Sequence, residues 1–174
     1  MNFPAQAQVV KAKIIKAFEE VPYPGDGNLV LDQTGYDPEC VEIATAFRGK
    51  DWRSISRETV RDHATALPLF TPLAFRYFLP AYMTICLDAY YDLDVAPHSV
   101  LFNLTPPNQR IGDAWEFFWI RAQGLTRIER EAVASFLEII GEYERTDWAS
   151  VGKEPPEDRV CAAIKWWREH AASS

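Results

Sequence analysis

The chain lacks the short signatures around which most catalytic sites are built. It has no Gly-x-x-x-x-Gly-Lys phosphate loop and no Gly-x-Ser-x-Gly elbow. Its three histidines, His63, His98 and His170, lie on separate segments without the His-x-x-x-His spacing that places two ligands on one helical face. Cysteine is sparse and odd in number. Cys40, Cys86 and Cys161 are far apart, each beside apolar neighbours in a segment of helical pattern. They are expected as buried thiols outside any disulfide, in a reducing, cytoplasmic setting. The N-terminus has no basic stretch followed by an apolar core, and no uncharged run reaches about 18 residues. Neither an export signal nor a membrane span is therefore expected. Without a secretion signal, Asn103-Leu104-Thr105 is a chance match to the glycosylation sequon.

Positive charge is also in short supply. Eighteen basic residues stand against 25 acidic ones, a net charge of −7, which argues against a nucleic-acid binder working through phosphate attraction. The excess is local. Residues 129–158 hold nine acids against Arg130, Arg145 and Lys153, so this window nets −6 and leaves the remainder close to neutral.

Apolar residues, in contrast, are abundant at 48%, and 174 residues suffice for one domain, here residues 1–174, with a core that needs no staples. The run from Phe70 to Tyr91 is the central element. Thr71 suits an N-cap and Pro72 a first helical position. From there to Asp92 the polar positions Arg76, Thr84, Asp88 and Asp92 recur by fours, with Pro80 in the gap. A helix over about 72–92, apolar on most sides and kinked at Pro80, is expected at the centre of the fold. Around it the pattern predicts helices over about Pro4–Glu20, Asp37–Phe47, Ser54 or Ser56 to Ala66, Ala114–Arg121, Thr126–Tyr143 and Pro156–His170, with a short one at Ser99–Leu104. Asp147–Pro156 reads as linker. Asn28–Asp32 has strand character but is too short and isolated for a sheet. The fold class is all-α: a single-domain bundle of six to seven helices around the buried central helix.

Ala17-Phe18, Phe47-Arg-Gly-Lys-Asp-Trp52, Phe70-Thr-Pro-Leu-Ala-Phe-Arg-Tyr-Phe-Leu-Pro80, Leu125-Thr126 with Phe136-Leu137-Glu138, and Trp167 occur here in one order. With them the chain resembles an uncharacterised bacterial domain family of unknown function, over about Ile14 to Trp167. The resemblance implies the fold and compartment above and brings no catalytic residues.

Three groupings carry candidate chemistry. Asp88, Asp92 and Asp94, with His98 nearby, are the carboxylate set that a metal-dependent hydrolase would use; they also suit the wet stripe of the central helix. Trp115, Phe118 and Trp119 share a core-facing stripe. Phe117, and one member of each pair Tyr90–Tyr91 and Trp166–Trp167, must then point elsewhere and offer a partner surface. On the helix from Thr126, Glu131, Glu138 and Glu142 fall within about 40° of one another, opposite Val133, Phe136, Leu137, Ile140 and Tyr143. Such a stripe is either a solvated face or a partner-binding face. Like charges one or two turns apart, with no lysine interleaved, weaken the helix by a few tenths of a kcal/mol per pair, and a basic partner would relieve that cost. The expectation is a non-enzymatic, cofactor-free protein-binding protein. Its partner would be a protein with a basic surface, such as a bacterial toxin held by an immunity protein or inhibitor. Nucleic acid and membrane are not expected partners.

Overall fold

The computed structural model describes residues 3–153 and 159–172. Among them are eight α-helices: α1 (Phe3–Ala17), α2 (Pro38–Phe47), α3 (Arg57–Asp62), α4 (Pro72–Ala89), α5 (Ala96–Leu104), α6 (Asp113–Gln123), α7 (Arg127–Ser150) and α8 (Arg159–Ala172). The eighth is the short segment at Ser99–Leu104, which begins earlier than its pattern suggests because Pro97 fits the first turn. No strand forms among the described residues. The extended piece around Val30 makes one isolated bridge to Phe70, with backbone N–H groups of Leu31 and Thr71 donating to Leu69 and Leu29.

The central helix starts as its sequence dictates. The Thr71 hydroxyl accepts from the Ala74 N–H at 3.1 Å and donates to the Asn28 carbonyl at 2.7 Å, so one side chain caps α4 and ties it to the preceding extended segment. α4 continues through Pro80 to Ala89 and tightens into a 3₁₀ turn over Tyr90–Asp92. Thirteen of its 18 residues are buried, which makes it the axis of the core. Phe47 from α2 meets Phe70, Phe78 and Tyr82 with ring centroids 4.9–6.3 Å apart, and the Tyr82 hydroxyl donates to the His63 carbonyl. Each such fully buried aromatic contributes roughly 1.5–3 kcal/mol by apolar burial.

α7 is anchored at its start by the expected capping box. The Thr126 hydroxyl accepts from the Glu129 N–H, and the Glu129 carboxylate accepts from the Thr126 N–H. That carboxylate is almost wholly buried and also takes a two-pronged ion pair from Arg76 of α4, at 2.7 and 2.9 Å. One glutamate thus fixes the start of α7 against the central helix. Val133, Phe136, Leu137 and Ile140 are fully buried, on the face their periodicity assigns. The helix outruns its expected end at Tyr143 by two turns, to Ser150, because no residue there resists helix before Gly152 at φ +68°. The expected start of the last helix at Pro156, and the acids Glu154, Glu157 and Asp158, lie outside the described residues.

α8 packs along α7 closely enough that Gly141 is required at the crossing. A Cβ there would lie 2.7 Å from Val160 Cγ1. Trp166 and Trp167 are both buried, against the expectation that one of them is exposed. α8 is flanked on two sides: Trp166 meets Trp115, Phe118 and Trp119 of α6, while Trp167 donates its indole N–H to the Leu104 carbonyl of α5 at 2.7 Å. Tyr91 and Phe117 do point outward. Cys40 and Cys86 are buried, with burial pushing the Cys86 thiol up to about 12. Cys161 is exposed, not buried.

Candidate functional site

α1 and α8 both pack on α7 and leave a slot between them. Its floor is α7 at Ile139, with Glu138 and Glu142 beside it; one wall is α1 at Val9 and Val10, the other α8 at Cys161 and Ile164. The slot has a volume of about 920 Å³. Its interior is apolar and its upper edges are charged. Val9 is 71% exposed. Lining residues span two turns of α7 and more than two of α8, so the opening has the length of a short helix.

Glu138 and Glu142 therefore stand at the edge of a built groove, and Glu131 lies two turns before Glu138 on the same helix, facing Lys13 of α1. Their electrostatic setting differs from the bare stripe read off the helix alone. Glu138 pairs with Arg168 of α8, Glu142 with Arg145 one turn on, and Glu131 with Lys13 at 3.8 Å. Lys165 and Glu169 add a further pair along α8 at 3.9 Å. The like charges are compensated within the chain, so the groove is edged by ion pairs instead of by unopposed carboxylates. All of these groups are partly or fully exposed, and pairs of this kind contribute about 0–1 kcal/mol each. An incoming cation can exchange with Arg168 or Arg145 at little cost.

The second grouping is not brought together. Asp88 pairs with Lys11 and accepts from Gln8, both on α1. Asp92 pairs with Arg57 of α3 at 3.0 Å. Asp94 occupies the turn before α5 at φ +50°, a left-handed conformation that aspartate tolerates better than most residues. The His98 ring lies 3.1 Å from Glu144 of α7. Among the described residues, no three His, Cys, Asp or Glu side chains are placed to share a metal ion. Arg48-Gly49-Lys50 closes α2, with Gly49 at φ +65° and its N–H donating to the Tyr23 hydroxyl.

Sequence reasoning missed the walls of the groove. Val9 is off the core stripe of α1 and is no more apolar than many surface valines, while Cys161 was expected inside. Only the meeting of three helices marks them. Among the described residues, no helix is long and apolar enough to cross a membrane.

A family model described as a family of unknown function (DUF6714) matches residues 6–171. No curated protein and no solved structure matches the chain.

Proposed function

We propose that this chain, which belongs to the family of unknown function (DUF6714), is a non-enzymatic binding protein that seats an amphipathic helix of a partner protein between α1 and α8. The observation that carries this reading is the groove: an apolar slot of about 920 Å³, helix-sized, walled by α1 and α8 and floored by α7. A bundle with such a vacancy buries more apolar surface when a helix fills it, and the occupant would be read as anchors at i, i+3, i+4 and i+7.

The partner's chemistry follows from the charge. A net charge of −7 draws cationic surfaces and speeds their approach. At the groove, Glu138 and Glu142 exchange their intramolecular partners for lysine or arginine beside the incoming apolar stripe. Glu131 extends the same line towards the start of α7. A basic-surfaced toxin acting on nucleic acid or nucleotides is the partner class that suits this arrangement, with the chain as its immunity protein or inhibitor. A cytoplasmic setting agrees with cysteines held outside any disulfide.

The test is affinity capture from the native host with wild type, a groove-blocked variant Val9→Glu/Ile164→Asp, and the charge-reversed variant Glu131→Lys/Glu138→Lys/Glu142→Lys. A basic protein retained by wild type should be lost by the groove-blocked variant. The charge-reversed variant should bind it with a slower on-rate. If the groove-blocked variant retains the same protein undiminished, the groove is not its seat.

A further inference from the structure

On the opposite side of α8 lies a buried positive charge with no ion-pair partner among the described residues. Arg121, in the last turn of α6, is 5% exposed. Its guanidinium donates to the carbonyls of Phe117, Pro68 and Phe70 at 3.2, 3.1 and 2.8 Å. The Phe117 ring lies against it, 3.6 Å from centroid to Cζ. These partners are neutral. The Nε–H is buried without any partner, and among the described residues no carboxylate stands within ion-pair distance. Arg76, which is more exposed, donates to both oxygens of Glu129. The contrast matters because an uncompensated buried cation is costly to the folded chain, and burial alone draws this guanidinium down to about 10.

Arg121 lines a cavity of about 320 Å³ between α5, α6 and the loop 105–108. Arg159, at the start of α8, lines the same cavity and also the adjoining lobe of about 280 Å³, to which Arg110 contributes. The two lobes share the wall from Thr105 to Asn108. No carboxylate belongs to the described lining of either lobe, in a chain whose net charge is −7. The lining of the first lobe includes the rings of Phe102, 78% exposed, and Phe117, 38% exposed. In the second, Trp166 carries a buried indole N–H with no acceptor among the described residues. Each lobe is near the lower limit of small-molecule sites, about 300 Å³.

We propose that this two-lobed cleft binds a phosphate monoester attached to a flat ring, the chemistry of a nucleoside monophosphate, with the phosphate between Arg121 and Arg159 and the ring against Phe102 and Phe117. Several guanidinium groups around one cleft suit a dianionic phosphate better than a singly charged carboxylate, and guanidinium geometry matches phosphate oxygens in pairs. Bases stack readily on phenylalanine rings. The site is separate from the α1–α8 groove and does not depend on it.

The experiment is calorimetric titration of the whole chain with AMP, adenosine, inorganic phosphate and benzoate. It uses wild type, Arg121→Met, the exposed Arg159→Ala, and Arg57→Ala as a remote control. AMP should bind wild type and Arg57→Ala alike. Adenosine and inorganic phosphate should bind at least tenfold more weakly than AMP. Arg159→Ala should raise the Kd for AMP at least tenfold, and Arg121→Met should do so too if it folds. The proposal is overturned if AMP shows no heat at millimolar concentration, if benzoate binds as well as AMP, or if Arg159→Ala binds AMP like wild type.

Discussion

Glu129 is a residue whose removal the structure makes costly. Its side chain is 2% exposed, and it serves two masters: the Thr126 N–H that opens α7 and the Arg76 guanidinium of α4. Truncating one member of a buried pair typically costs 3–5 kcal/mol, because the other charge stays behind uncompensated. Arg76 keeps a quarter of its side chain in solvent, so water takes over part of the task and the cost falls to the lower end. Half of the capping box goes with it, worth about 1 kcal/mol. Glu129→Ala should therefore lose about 3–4 kcal/mol. In a domain of this size, that is a drop of roughly 10 °C in Tm. Urea unfolding followed by circular dichroism measures the first figure and calorimetry the second. The combined variant Glu129→Ala/Arg76→Met should recover part of the loss, because it removes the stranded charge. An unfolding free energy within about 1 kcal/mol of wild type for Glu129→Ala would refute the reasoning, since surface pairs are worth that much at most.

Three further outcomes follow from particular contacts. Gly141→Ala should destabilise by about 1 kcal/mol, the clash with Val160 outweighing the gain in helix propensity; in a Val160→Ala background the same change should become stabilising, as a double-mutant cycle in urea would show. The Asp32 carboxyl is held below its ordinary value first by the Thr34 hydroxyl and then by the Asp37 and Thr34 N–H groups. The folded chain therefore binds its proton less readily than the unfolded one, so its contribution is present above the usual carboxylate range and is lost as pH falls. The urea midpoint of Asp32→Ala should lie below that of wild type at neutral pH, and the gap should narrow once pH drops under about 4. Phe136→Ala or Ile140→Ala should cost about 2–5 kcal/mol in either case, whether or not a partner is present, because both side chains are fully buried.

What was legible in the chain was legible locally. Thr71-Pro72 and the polar residues spaced by fours mark α4; Thr126 and Glu129 mark the start of α7; the apolar spacing of Val133, Phe136, Leu137 and Ile140 assigns its buried face. Each signal lies within one helix and acts through that helix's own backbone. The misses lie between helices. The acidic stripe looked unopposed because two of its cations, Lys13 and Arg168, arrive from α1 and α8. Trp167 is inside because α5 offers its indole an acceptor. Cys161 is outside because the apolar floor and walls around it enclose a slot rather than a filled core. Arg121 resembles any cation near a helix C-terminus, where charge complements the dipole; only its burial beside three carbonyls, with no ion-pairing acid among the described residues, distinguishes it.

Cys161 provides the most direct test of the groove. It lines the slot and is exposed, whereas Cys40 and Cys86 are buried, so a thiol-directed photocrosslinker attaches to Cys161 selectively. Irradiation in lysate of the native host should join it to one basic protein. The crosslinked peptide should carry an apolar stripe of helical spacing flanked by lysine or arginine. The same crosslinker placed at Tyr36→Cys in a Cys161→Ser background, on a tyrosine 92% exposed and outside the groove, should not capture that protein. Equal capture from both positions, or a captured partner that leaves the rate of Cys161 modification unchanged, would contradict a helix-binding groove between α1 and α8.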